Sequence, residues 1–160
     1  MTKKIAVLVD VQNIYYTTRD AFGRSFNYRA LWQRLNNIGE VVMANAYAIE
    51  SQLDSQRKFQ DALRHIGFNV KLKPFIQRKD GSAKGDWDVG ITIDALEAAS
   101  SNTIDTLVLL SGDGDFDRLL QHVKQNYNVS STVYGVESLT AQSLISAADQ
   151  FKSIDTQLLQ

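Results

Sequence analysis

Seven aspartates in three short segments of the chain have the residue type and the spacing to hold a hard metal ion. In Leu8-Val9-Asp10-Val11-Gln12-Asn13 an apolar run leads straight into a carboxylate. Leu110-Ser111-Gly112-Asp113-Gly114-Asp115-Phe116-Asp117 follows a second apolar run, and Lys84-Gly85-Asp86-Trp87-Asp88-Val89 opens a helical pattern that also carries Asp94. Carboxylates converging on one crevice repel one another unless they are neutralised, and a divalent cation with oxygen ligands, Mg²⁺ or Mn²⁺, is the usual solution. Such a site activates water and stabilises the leaving oxygen in phosphodiester hydrolysis without Cys or His.

Each acid also has a plainer role open to it. Asp86 can cap a helix, and Asp113, Asp115 and Asp117 can sit at a helix N-terminus, where negative charge is favourable. Asp88 and Asp94 are about 600° of helix rotation apart, so they share no stripe, and Asp94 is expected in solvent. Asp10 is harder to dismiss, because an aspartate closing an apolar strand needs a partner or a cation. Calcium sensing is excluded: in the Asp113-x-Asp115-x-Asp117 run, position six is Arg118 and position twelve is Lys124, where an EF-hand needs Gly and Glu. Neither a GxxxxGK[ST] loop nor a GxGxxG turn is present. A haloacid dehalogenase-like phosphatase is a competing reading, since Asp10 could be a nucleophile, but the acid expected two residues later is Gln12.

Strands and helices must bring these acids together. β-rich runs at Ile5–Val9, Val41–Ile49, Phe68–Phe75, Leu107–Leu110 and Val129–Tyr134 alternate with helical patterns at Tyr15–Ala21 with Tyr28–Asn37, Asp54–Ile66, Asp86–Ser100, Asp115–Tyr127 and Thr140–Ala148. The alternation predicts an α/β fold with a mainly parallel five-stranded sheet between helical layers, in one domain spanning residues 1–160. The first and fourth runs are nearly continuous Val, Leu and Ile, so they are expected at the centre. If they are neighbours, Asp10 and Asp113 face each other at the strand ends, where open α/β sheets bind ligands. Asp54 is expected to cap the third helix and Ser138 or Thr140 the last. Residues 77–85 read as a polar, glycine-containing loop.

With 160 residues and 44% hydrophobic content the chain can close a real core. The absence of Cys excludes disulfide scaffolds, zinc fingers and thiol nucleophiles, and His65 and His122, both within helical patterns, are too few for most zinc enzymes. No run approaches the length of a membrane span, so a cytoplasmic protein is expected; a homodimer is compatible with everything above. The formal net charge of −1 hides a division. Residues 64–84 hold six basic side chains and one acid, Asp80, whereas residues 86–117 hold eight acids and no Lys or Arg. An acidic pocket beside a basic loop suits a metal-dependent nuclease, with Arg78, Lys79 and Lys84 contacting substrate phosphates. Lys71 and Lys73 are read as a solvated strand edge. Tyr15, Tyr16, Trp87 and Phe116 border the acidic motifs and could stack on unpaired bases or serve the core.

The segments Val9-Asp10-Val11-Gln12-Asn13-Ile14, Lys84-Gly85-Asp86-Trp87-Asp88-Val89 through Ile93-Asp94-Ala95-Leu96, and Leu110-Ser111-Gly112-Asp113-Gly114-Asp115-Phe116 together resemble the NYN-domain family of PIN-like nucleases, in particular its bacterial LabA-like branch. Val133-Tyr134-Gly135 and Ala148-Asp149-Gln150-Phe151 fit more weakly. The resemblance implies a PIN-like three-layer fold with strand order 3-2-1-4-5, bound Mg²⁺ or Mn²⁺, and endoribonuclease-type cleavage of RNA. Asp10, Asp88 and Asp113 match the family's metal acids, with Asp115 or Asp94 as a fourth. Asn13 would orient Asp10 or bind a phosphate, and Ser111 would support the acids from behind. A regulatory RNA-binding module without catalysis is the remaining reading.

Overall fold

The computed structural model describes residues 2–74, 76–77, 83–84 and 86–160. In chain order the elements are β1 (Lys4–Asp10), α1 (Val11–Phe22), α2 (Tyr28–Ile38), β2 (Glu40–Ile49), α3 (Asp54–Ile66), β3 (Asn69–Lys73), β4 (Ile76–Gln77), β5 (Ala83–Lys84), α4 (Asp88–Ser100), β6 (Thr106–Leu110), α5 (Asp117–Tyr127), β7 (Ser130–Gly135), α6 (Gln142–Ala147) and β8 (Gln150–Ser153). The main sheet runs β3-β2-β1-β6-β7-β8, parallel throughout.

Strand alternation divides the interior into two cores. Ile5, Val7 and Val9 of β1, with Val108 and Leu110 of β6, pack beneath α1, α2 and α3. Ala6 and Leu8, with Leu107 and Leu109, face α4, α5 and α6. Burial on both faces is why β1 and β6 read as unbroken apolar runs, and they are indeed the central strands.

The sheet has six strands where the apolar runs indicate five. β8 is short, and most of its residues are exposed, so it lacks the pattern that marks a buried strand. Its start is fixed by a reciprocal pair: Ser131 N–H donates to Asp149 Oδ2 at 2.9 Å, and Asp149 N–H donates to Ser131 Oγ at 3.1 Å. Within the polar segment after β3, β4 and β5 pair antiparallel, with Gln77 opposite Ala83.

Helix starts differ from the sequence reading for local reasons. Asp10 caps α1 directly, its side chain accepting from Asn13 N–H, so the helix begins at Val11. Leu53, not Asp54, occupies the cap of α3, and Asp54 lies in the first turn. The last helix opens at Ala141 rather than at Ser138 or Thr140, and Thr140 Oγ1 instead donates to Val136 O at 2.7 Å.

Chain beyond β8 returns to the α1–α2 connection. Leu159 forms an antiparallel bridge with Phe26, Asn27 N–H donates to Leu158 O at 2.7 Å, and Gln160 N–H donates to Ser25 O at 2.8 Å. Ile154, Leu158 and Leu159 are buried in the core under α1–α3.

Candidate metal centre

After β1 the chain passes to the α1–α3 face, and after β6 it passes to the α4–α6 face, so the two neighbouring central strands send their connections to opposite sides. A crevice opens at their carboxyl ends where the connections diverge. Val9 pairs with Leu110, which places Asp10 and the Ser111–Asp115 segment side by side at that crevice.

Hydrogen bonds tie the two strand ends together. Asn13 Oδ1 accepts from Gly112 N–H at 2.8 Å. Ser111 Oγ is completely buried; it donates to Asp10 Oδ2 at 3.2 Å and accepts from Asp113 N–H at 3.1 Å. Asp113 Oδ1 in turn accepts from Asp115 N–H at 2.9 Å and caps the single 3₁₀ turn Gly114–Phe116 that precedes α5. Gly112 and Gly114 are required by proximity and not by a left-handed turn, since positive φ glycines among the described residues are Gly23 and Gly67. A Cβ on Gly112 would lie 2.7 Å from Leu139 O, and one on Gly114 2.9 Å from Ala141 Cβ.

Asp88, the first residue of α4, joins these acids from the other side of the crevice. Carboxylate oxygens of Asp88, Asp113 and Asp115 lie within 4.8 Å of one another. Burial first, and then the hydrogen bond and charge of Asp113 with the charges of Asp10 and Asp86, push the Asp88 carboxyl up to about 7. Asp10 lies deeper, at 9% exposure, and burial pushes it up to about 6 against the lowering effect of its bonds from Asn13 N–H and Ser111. A cation bound beside Asp10 and Asp88 would favour their charged forms and offset the repulsion that raises them. The donor set is all carboxylate oxygen, which fits a hard divalent cation.

The remaining acids take structural roles. Asp86 Oδ1 accepts from Asp88 N–H at 3.2 Å, a turn that orients the start of α4. Asp94 is neither solvated nor part of the cluster: its Oδ2 accepts from Tyr47 Oη and from Lys71 Nζ, each at 2.7 Å, and Asn45 Nδ2 donates to the same Tyr47 oxygen at 3.1 Å. The six-residue offset from Asp88 already puts Asp94 on another stripe, and Lys71 across the β3 edge supplies its countercharge. Lys71 and Lys73 are therefore more than a solvated edge. Lys73 Nζ donates to Asp86 O at 3.0 Å and lies 4.7 Å from the centre of the Trp87 ring, so both lysines fasten β3 to α4.

Trp87 immediately precedes Asp88 and is half-buried against β2 and the first turn of α4. Its indole N–H donates to Ala48 O at 2.8 Å, its ring packs against Tyr47 with centroids 5.2 Å apart, and a Cβ on Gly90 would come within 2.6 Å of its Cε3. Sequence alone does not disclose this clamp, although the Trp87-x-x-Gly90 spacing could have suggested a ring lying across a helix turn. Phe116 is a core residue at 1% exposure, while Tyr15 and Tyr16 are exposed at 42% and 62%. His122 Nδ1 lies 3.1 Å from Asn126 Nδ2, away from the acids. Arg78 and Lys79 lie outside the described residues, and Lys84 belongs to β5.

A family model, the NYN domain, matches residues 4–155. The chain belongs to the NYN domain family, a PIN-like nuclease family. It is 29% identical over 156 residues to the low amplitude and bright protein LabA of Synechococcus elongatus, covering 92% of this chain and 82% of LabA. The crystal structure of VPA0982 from Vibrio parahaemolyticus, described as a protein of unknown function, superposes with a TM-score of 0.93 at 53% identity over 99% of this chain and 97% of that one. Ribokinase from Giardia lamblia shares the fold alone, with a TM-score of 0.51 and 10% identity over 98% of this NYN chain and 59% of the kinase.

Proposed function

We propose that this NYN domain hydrolyses phosphodiester bonds in RNA, as an endonuclease dependent on Mg²⁺ or Mn²⁺. The carrying observation is the convergence of Asp88, Asp113 and Asp115 within 4.8 Å at the strand ends of a family of PIN-like nucleases. These three acids would hold the cation, with Asp10 completing the negative field from below. A bound divalent ion supplies Lewis acidity, polarising a phosphoryl oxygen and lowering the pKa of water.

The chain's own groups set the geometry. Ser111 and Asn13 fix Asp10 and the Asp113 loop relative to each other, so the carboxylates do not have to be ordered when substrate arrives. The basic segment before α4 supports phosphate contact by Arg78, Lys79 and Lys84.

Cleavage of a labelled RNA in Mn²⁺ tests the reading. Asp113→Asn should lower the rate by at least about a hundredfold while leaving the fold intact, and circular RNA should be opened. Equal cleavage by wild type and Asp113→Asn would overturn the assignment, whereas RNA binding without cleavage in either metal would favour a non-catalytic RNA-binding module.

A further inference from the structure

Of the four aromatic side chains that border the acidic motifs, the structure assigns two to packing and leaves two unexplained. Trp87 and Phe116 are held by the protein itself. Tyr15 and Tyr16 face solvent, side by side in an edge-to-face pair with centroids 5.2 Å apart. They belong to an outward stripe of α1 that begins at Gln12 and continues one turn later to Arg19, whose guanidinium carbon lies 5.7 Å from the centre of the Tyr15 ring. The opposite stripe, Val11, Ile14 and Thr18, is buried. Tyr15 Oη accepts a hydrogen bond from Arg19 Nη1, which ties the guanidinium to the ring pair on the solvent side of α1.

We propose that Tyr15, Tyr16 and Arg19 form a stacking platform for unpaired nucleobases of the RNA strand that enters the carboxylate crevice; this rests on the nuclease reading above. Position is the first support. Tyr16 is one turn beyond Asn13, whose side chain holds Gly112 in the loop that carries Asp113, so the platform lies on the helix that is tied to the acidic loop. At about 1.5 Å of rise per residue, the two tyrosines lie roughly 8–9 Å along the helix from Asp10.

Chemistry is the second support. Every base offers a π face, so aromatic rings bind unpaired strands with little sequence preference, and a guanidinium can stack or take a phosphate. A paired strand hides those faces, so the platform selects single-stranded segments. Among the exposed apolar residues of the other helices, Val89 and Ile93 of α4 are aliphatic, and Tyr127, at the last residue of α5, is ten residues along that helix from its start at Asp117 and packs against His122.

Binding of the full chain to a short fluorescent oligouridine in EDTA, followed by anisotropy, tests the platform without turnover. The double variant Tyr15→Ser/Tyr16→Ser should bind at least about tenfold more weakly than wild type, Tyr15→Phe/Tyr16→Phe should restore binding, and an abasic strand of equal length should bind wild type and double variant alike. Equal affinity of wild type and Ser/Ser variant for oligouridine would overturn the proposal, as would an equal loss on the abasic strand. A Mn²⁺ cleavage assay on the same proteins separates the two readings. Cleavage by wild type with an unchanged KM in the Ser/Ser variant removes the platform and keeps the nuclease; tyrosine-dependent binding without any cleavage removes the nuclease and keeps the platform.

Discussion

Asp10 shows how far a single side chain can set the behaviour of this crevice. Its folded carboxyl is raised from 3.8 to about 6, so the protonated form is favoured by folding, and stability is greatest below pH 4 and declines as pH rises through 6. At about 1.4 kcal/mol per pH unit the loss is of order 3 kcal/mol. In EDTA, then, the melting temperature should fall between pH 5 and pH 7 through this group, and Asp10→Asn should raise it at pH 8 while changing little at pH 4. A melting temperature for Asp10→Asn equal to or below that of wild type at pH 8 would show that the charge is already neutralised in the apo protein. Ser111 acts on two acids at once, so Ser111→Ala should cost about 1 kcal/mol in thermal unfolding and roughly tenfold to a hundredfold in Mn²⁺ affinity. Gln12 and Lys124, in contrast, stand where a phosphatase or a calcium loop would need acids, and these exclusions were readable residue by residue.

The start of α4 is the element on which the third acid depends. Trp87 locks it to β2 and Gly90 leaves room for the ring, so Gly90→Ala should displace the indole and with it Asp88. Weaker Mn²⁺ binding with a shifted tryptophan emission is expected, even though alanine is the better helix former by about 1 kcal/mol; unchanged metal affinity would show that Asp88 is positioned without the clamp. Element order and the central place of β1 and β6 were legible because both faces of those strands are covered, and continuous apolar runs mean little else. β8 was not, because an edge strand held by backbone bonds and the Ser131–Asp149 pair needs few apolar residues. Asp88 and Asp113 were singled out as candidate ligands through the family resemblance, and the fold brings their carboxylates together with that of Asp115. The fate of Asp94 was not, because its partners Tyr47 and Lys71 come from β2 and β3, and only the parallel register sets them opposite α4.

At the scale of the whole molecule, the near-neutral net charge conceals an acidic crevice, and a cation should therefore be a large contributor to stability. At a hundred times its dissociation constant, Mn²⁺ should add about 2.7 kcal/mol, read as a rise in melting temperature that Asp113→Asn removes; a rise retained in that variant would place the ion elsewhere. Among the described residues no helix is long and apolar enough to cross a membrane. The two halves of the interior are completed by different parts of the chain. The core under α4–α6 needs nothing beyond Phe151, whereas the one under α1–α3 is closed by Ile154, Leu158 and Leu159, which reach back to Ser25–Asn27. Since a ribosome delivers residues in order, the helix carrying Asn13 and the exposed tyrosines stays unsealed on its inner side until these last apolar residues emerge. A nascent chain would thus keep the apolar inner face of α1 uncovered until Ile154, Leu158 and Leu159 have been added.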